Sequence, residues 1–291
     1  SQFYYRVFLI SGIILMFTTL IDFDSLHAQL GNTDLIIFDV RYDLMNKDAG
    51  RELYLSSHIP GAIYVDLNSD LSRPPFTNKG RHPLPDIKSM NELFSELGVC
   101  KEKQVVVYDD AFGSFSSRLW WMLKYLQHDK VAVLDGGWQH WINSGGIASS
   151  KNETRIPSQF NGTQLGNILV NIDQVGGYNL IIDSRDSSRY KGESEPIDRA
   201  AGHIPGAKNR CWKNNITDTG RFKESDELLK EFELLFGTTL SEDTVFYCGS
   251  GVTACHNLLA VVHAGLGLPR LYAGSWSEWS STPGKPIATG N

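Results

Sequence analysis

The sequence predicts an α/β protein made of two similar halves, each a mostly parallel sheet flanked by helices. Two observations carry this expectation. Short apolar runs of strand type alternate with longer helical patterns along the chain. The same landmarks also return after about 140 residues, a period too long for a solenoid and suited to duplication of a whole domain. A length of 291 residues accommodates two such units.

The elements follow in order. An apolar run at 7–17, preceded by Arg6, opens the chain. It is short for a membrane span and reads as an extension, the hydrophobic part of an export signal, or an anchor. Buried-type strands are expected at Leu35–Val40, Gln104–Tyr108 and Val131–Leu134, with helices at Ser89–Leu97 and Ser116–Leu126. Residues 149–162 are polar and turn-rich and read as a linker. The second half repeats the pattern, with strands at Leu180–Asp183, Thr244–Tyr247 and Arg270–Tyr272 and a helix at Glu224–Phe236. Matched landmarks align Asp39 and Arg41 with Asp183 and Arg185, His58 with His203, and Tyr108 with Tyr247. Arg41 and Arg185 are expected to pair internally with Asp39 and Asp183. Each histidine precedes Ile-Pro-Gly-Ala and is expected to fix a turn. Trp120 and Trp121 read as core aromatics.

Composition narrows the function classes. With 41% hydrophobic and 21% charged residues the chain is globular. A formal net charge of −6 argues against a nucleic-acid partner, and a membrane partner is not expected. Four cysteines (Cys100, Cys211, Cys248, Cys255) show neither zinc spacing nor a disulfide framework. A reducing, cytoplasmic setting follows, or an exported protein if the apolar start is a signal. No metal site is expected.

The chemistry concentrates at Cys248. An apolar strand ends there, Gly249-Ser250-Gly251-Val252-Thr253 follow, and a helical pattern begins at Ala254. Strand, tight glycine loop and helix start set backbone N–H groups and the positive helix end around one sulfur. That setting stabilises a thiolate, so Cys248 reads as a nucleophile. The aligned position in the first half is Asp109. The residues after it lack the glycine pattern, so no equivalent cradle is expected there. Cys255, seven residues on, reads as a helix residue rather than a resolving thiol.

The loop 248–253 resembles the active loop of 3-mercaptopyruvate sulfurtransferases, within the tandem rhodanese superfamily. The segments 54–62 and 271–279 resemble that family's N- and C-terminal signatures. The resemblance covers roughly residues 18–290. It implies an N-terminal apolar extension (1–17), an inactive rhodanese-like domain (18–148), a linker (149–164) and a catalytic rhodanese-like domain (165–291), with the active site between the domains. It further implies that Cys248 takes sulfur from 3-mercaptopyruvate as a persulfide cradled by Gly249, Gly251, Val252 and Thr253. Pyruvate would be released and the sulfur passed to a small thiol, thioredoxin or cyanide, without a cofactor.

Two substrate arginines are implied. Arg189 matches the first. The second normally follows Glu-Pro directly, but Ile197 follows Glu195-Pro196 here, and Arg199 is the nearest substitute. A relay through Ser250 and His82 is implied for protons. The matching acid position holds Asn68, so the relay lacks its acid unless Asp66 or Asp70 substitutes. Three rival readings remain. A phosphatase of this fold needs Cys-x5-Arg, and the sixth position after Cys248 is Ala254. A thiosulfate sulfurtransferase typically has basic residues after its cysteine, where this chain has Gly249 and Ser250. A non-catalytic sulfur carrier or binding module would not require an intact loop.

Overall fold

The computed structural model describes residues 16–74 and 79–291. Most of the apolar run at 7–17 therefore lies outside the described residues. Two five-stranded sheets form, and every strand pairing in both is parallel. The first contains β1 (Leu20–Ile21), β2 (Leu35–Asp39), β3 (Ala62–Tyr64), β4 (Gln104–Tyr108) and β5 (Val131–Leu134), in the order β1-β5-β4-β2-β3. The second contains β6 (Leu169–Val170), β7 (Leu180–Asp183), β8 (Lys208–Asn209), β9 (Thr244–Tyr247) and β10 (Arg270–Tyr272), in the order β6-β10-β9-β7-β8. The two orders are the same arrangement used twice. β2, β4, β5, β7 and β9 are buried at every residue, as strands covered on both faces must be.

The repeat extends to individual bonds. Arg41 Nη2 lies 2.6 Å from Asp39 and Arg185 Nη2 lies 2.6 Å from Asp183. His58 Nδ1 meets Tyr54 O at 2.6 Å, and His203 Nδ1 meets Tyr190 O at 2.7 Å. Each ring stacks on the tyrosine that holds it. Both histidines thus fix turns, as expected.

One hydrophobic core runs between the sheets and across both halves, containing Trp120, Trp121, Leu123, Phe246, Leu258 and Leu259. Helix Ser116–Tyr125 packs there on helix Ala254–His263. The outer faces have separate cores, around Trp141 in the first half and Trp276 in the second. The first core begins before residue 18: Phe17 is buried in it, and its N–H donates to Gln104 Oε1 at 3.0 Å. The polar segment after 148 is a strap on the first half. Ser149 pairs with His58, Arg155 donates to Leu35 O, and Phe160 packs edge-on against Phe94. Among the described residues no helix is long and apolar enough to cross a membrane.

Candidate active site

Cys248 stands just past the C-terminal end of β9, where parallel sheets gather ligands. It is 1% exposed. Gly251 makes the loop possible. Its φ is +76°, and a Cβ there would lie 2.3 Å from Ala273 O. No other residue type fits that conformation and that space. The Gly251 N–H donates to Cys248 Sγ at 3.2 Å. The loop is held from the other side by the turn after β10. Cys248 N–H donates to Ser275 Oγ at 3.1 Å, and Trp276 and Ser277 donate to the carbonyls of Cys248 and Gly249 at 2.9 Å. Burial pushes the Cys248 thiol up. Hydrogen bonds from the Thr253 hydroxyl and from the N–H groups of Ala254, Ser250 and Gly251 outweigh it and hold the thiol below its ordinary value.

The first half supplies the facing wall. His82 Nδ1 lies 2.8 Å from Ser250 Oγ, across the domain boundary. Burial, reinforced by the charges of Arg118, Arg81 and Lys47, lowers the His82 pKa to about 3. Among the described residues no carboxylate is bonded to this ring. Asn68 donates to the Tyr42 hydroxyl instead. Asp66 accepts the N–H groups of Asn68 and Ser69, and Asp70 accepts that of Asp66.

The arginines form a ladder. Asp183 pairs with Arg185, Arg185 with Glu195, Glu195 with Arg189, and Arg189 with Asp198. Arg81 of the first half closes it on the other oxygen of Asp198. Arg81 and Arg189 both flank Gly249: a Cβ there would lie 2.9 Å from Arg81 Nη2 and 3.4 Å from Arg189 Nη1. An inner pocket of about 80 Å³ is lined by Cys248, Gly249, Ser250, Val252, Thr253, His82, Arg81 and Arg189, with Leu44, Leu67, Phe115 and Ile197. An outer cavity of about 920 Å³ shares Leu44, Arg81, His82 and Ile197 with it and adds Lys47, Arg73 and Arg199. Arg199 is thus on the outer wall, and Arg81 stands beside the loop.

Sequence reasoning missed Arg81 and Arg118. Arg81 adjoins His82, so the same reach that brings the histidine across brings the arginine. Arg118 is a charge inside a helix buried at nine of its ten residues, a local conflict that itself signals a special site. The expectation that the first half lacks a cradle is corrected. The loop after β4 does present converging N–H groups, but Asp109 fills them. Its carboxylate accepts from the N–H groups of Ala111, Gly113, Phe115 and Ser116 at 2.8–2.9 Å. A fixed anion sits where the second half has its sulfur. All four cysteines are free, and Cys255 is buried with its thiol toward Gly251 O at 3.5 Å. Among the described residues no cluster of histidine, cysteine and acidic side chains is arranged to hold a metal ion.

Comparison with known proteins agrees with this architecture. The model of the rhodanese-like domain matches twice, over residues 22–144 and 169–282. The chain is 42% identical over 275 residues to the probable 3-mercaptopyruvate sulfurtransferase of Pseudomonas aeruginosa, covering 92% of this chain and 96% of that one. It is 31% identical over 267 residues to the thiosulfate sulfurtransferase of Bos taurus, covering 88% of each. The solved 3-mercaptopyruvate sulfurtransferase from Leishmania major superposes with a TM-score of 0.83 at 31% identity, covering 93% of this chain and 76% of that one.

Proposed function

The chain belongs to the rhodanese-like family and is a sulfurtransferase; on that premise we propose that it takes the sulfur of 3-mercaptopyruvate onto Cys248 as a persulfide, releases pyruvate and passes the sulfur to a thiol, thioredoxin among them, or to cyanide. The observation that carries this reading is one buried sulfur held below its ordinary thiol pKa by donors converging on it. The same donors stabilise a persulfide anion.

The proton count closes without an outside acid. The Cys248 thiolate attacks the donor's thiol sulfur, the carbon–sulfur bond breaks, and the electron pair leaves on carbon as pyruvate enolate. The proton on the transferred sulfur is the one that the enolate carbon needs. A relay therefore suffices. Ser250 and His82, 2.8 Å apart on the pocket wall, are suited to it. With its pKa lowered to about 3, His82 holds no ionising proton at neutral pH, so it works as a neutral hydrogen-bond partner. The acceptor then attacks the outer sulfur and restores the Cys248 thiolate.

Donor choice follows from the ladder. Its three arginines (Arg81, Arg185, Arg189) are matched by three carboxylates (Asp183, Glu195, Asp198). Such a compensated site suits one donor carboxylate, held by N–H groups that Arg81 and Arg189 have left. Arg199 would act on molecules in the outer cavity. Thiosulfate is the second reading, favoured by the two guanidinium groups beside Gly249. A side-by-side steady-state assay decides. We expect higher kcat/KM with 3-mercaptopyruvate, and equal or better efficiency with thiosulfate promotes the second reading. Mass spectrometry after donor treatment should add one sulfur to Cys248, and no gain would leave a binding module. Four free thiols suit a reducing compartment, and we assign the reaction to the cytoplasm.

A further inference from the structure

Arg118 is fully buried and has no acidic partner among the described residues. It is 0% exposed. Its guanidinium donates to three backbone carbonyls: Gly251 O at 2.8 Å, His82 O at 2.9 Å and Leu71 O at 3.2 Å. Its Nε has no hydrogen-bond partner among the described residues. No carboxylate bonds to it among the described residues, and residues 1–15 and 75–78 contain no aspartate or glutamate. A buried cation without a counter-charge is strongly unfavourable. Its position adds to the cost, because residue 118 lies in the first turn of helix Ser116–Tyr125, where the helix end is itself positive. Carbonyl dipoles offset only part of this. The anion that can complete the balance is the sulfur of Cys248, whose loop Arg118 holds through Gly251. Burial lowers the Arg118 pKa, and the groups that act against this are Cys255 and Cys248. Burial keeps the Cys255 thiol protonated, which leaves Cys248.

We propose that Arg118, reaching from the first half of the chain, is the buried counter-charge of the Cys248 thiolate and persulfide, and the positioning residue that holds the Cys248 loop and the His82 loop in one register. A single guanidinium bonds the nucleophile's loop from one domain and the histidine's loop from the other. The inactive half thereby contributes charge to the sulfur as well as a wall to the pocket. The proposal rests on Cys248 being the nucleophile, but not on which donor it uses.

The test is the pH dependence of Cys248 alkylation by iodoacetamide, resolved by peptide mass spectrometry because Cys100 and Cys211 are partly exposed. Iodoacetamide needs no sulfur donor, so this result is independent of the donor assays. In Arg118→Met we expect alkylation of Cys248 at neutral pH to slow by about tenfold and its pH profile to move up. Arg118→Lys keeps the charge but loses the planar fork, and should stay within about threefold of wild type while its Tm falls. A purely structural residue would lower Tm in both variants and leave the profile of the folded protein in place. That outcome overturns the proposal. If Arg118→Met does not fold, Arg118→Gln, which keeps a donor to the carbonyls without the charge, takes its place: alkylation slowed about tenfold with a raised profile supports the counter-charge, and a profile near wild type overturns it.

Discussion

Cys248 and Cys255 are both buried cysteines, seven residues apart, yet their surroundings push them in opposite directions. The Cys248 sulfur receives donated hydrogen bonds, and its thiol is held down. The Cys255 sulfur faces a carbonyl oxygen, and burial pushes its thiol well up. Cys248→Ser should therefore abolish sulfur transfer while the fold survives, and Cys255→Ser should keep most activity. A Cys248→Ser rate above about a hundredth of wild type would remove the nucleophile assignment. The arginines give a graded series. Arg189→Ala and Arg81→Ala each remove a charge-assisted contact of roughly 1.5–3 kcal/mol beside the sulfur, and should raise the donor KM or lower kcat/KM by at least tenfold. Arg199→Ala, out on the wall of the larger cavity, should cost less. If steady-state kinetics rank Arg199 above Arg81, the clamp is placed wrongly.

At the scale of elements, the loop between β9 and its helix is an anion cradle whose shape depends on glycine. Gly251→Ala would place a side chain at φ +76° and against Ala273 O. The backbone alone costs about 1–3 kcal/mol. Thermal melting should show the loss, and activity should fall further because the Gly251 N–H leaves the sulfur. Adding positive charge by Gly249→Arg with Ser250→Lys looks, from the loop alone, like a route to a thiosulfate enzyme. The structure changes that expectation. Arg81 and Arg189 already flank Gly249, and Ser250 already meets His82. The double variant should displace both arginines and lose activity with either donor. A gain with thiosulfate would show that the ladder yields more easily than its bonding suggests. The six central strands were legible, because a buried parallel strand is a short apolar run, whereas the edge strands β1, β3, β6 and β8, two or three residues each, were too short to show a pattern. The polar segment after 148 was legible as irregular, but its packing on the first half through Arg155 and Phe160 was not.

At the scale of the whole molecule, the halves are joined by a shared core and by buried polar groups. His256 is central. Its Nε2 lies 2.9 Å from Phe112 O of the first half, and its ring stacks on Phe222 at 4.5 Å. Asp135 of the first half accepts from Arg221 Nε at 2.9 Å and from the Phe222 N–H at 2.8 Å. Burial lowers the pKa of His256 and of His263 to about 4, and that of His82 to about 3, from 6.5. The sign follows. A folded pKa below the unfolded value means that the unfolded chain binds protons first as pH falls. Stability is full above about pH 6.5 and is lost progressively through pH 4 and towards 3. Melting temperatures across that window should fall steadily, and His256→Gln should flatten the slope. An unchanged slope would remove His256 from the account.

Features that depend on near neighbours could be read from the residues alone. Strand and helix periods, the duplicated Asp-x-Arg and His-Ile-Pro-Gly landmarks, and the glycine loop after Cys248 are set by backbone sterics and hydrogen bonds within a few residues. They marked the architecture and the proposed nucleophile without any view of the third dimension. What fills the matching loop of the first half became visible in three dimensions, where a carboxylate seven residues or fewer from its donors turns inward at Asp109. So did which arginines stand at the sulfur. Arg81 and Arg118 reach the site across a domain boundary, from more than a hundred residues away in the chain. Their approach depends on how two complete halves pack, and no local pattern encodes a distance of that kind.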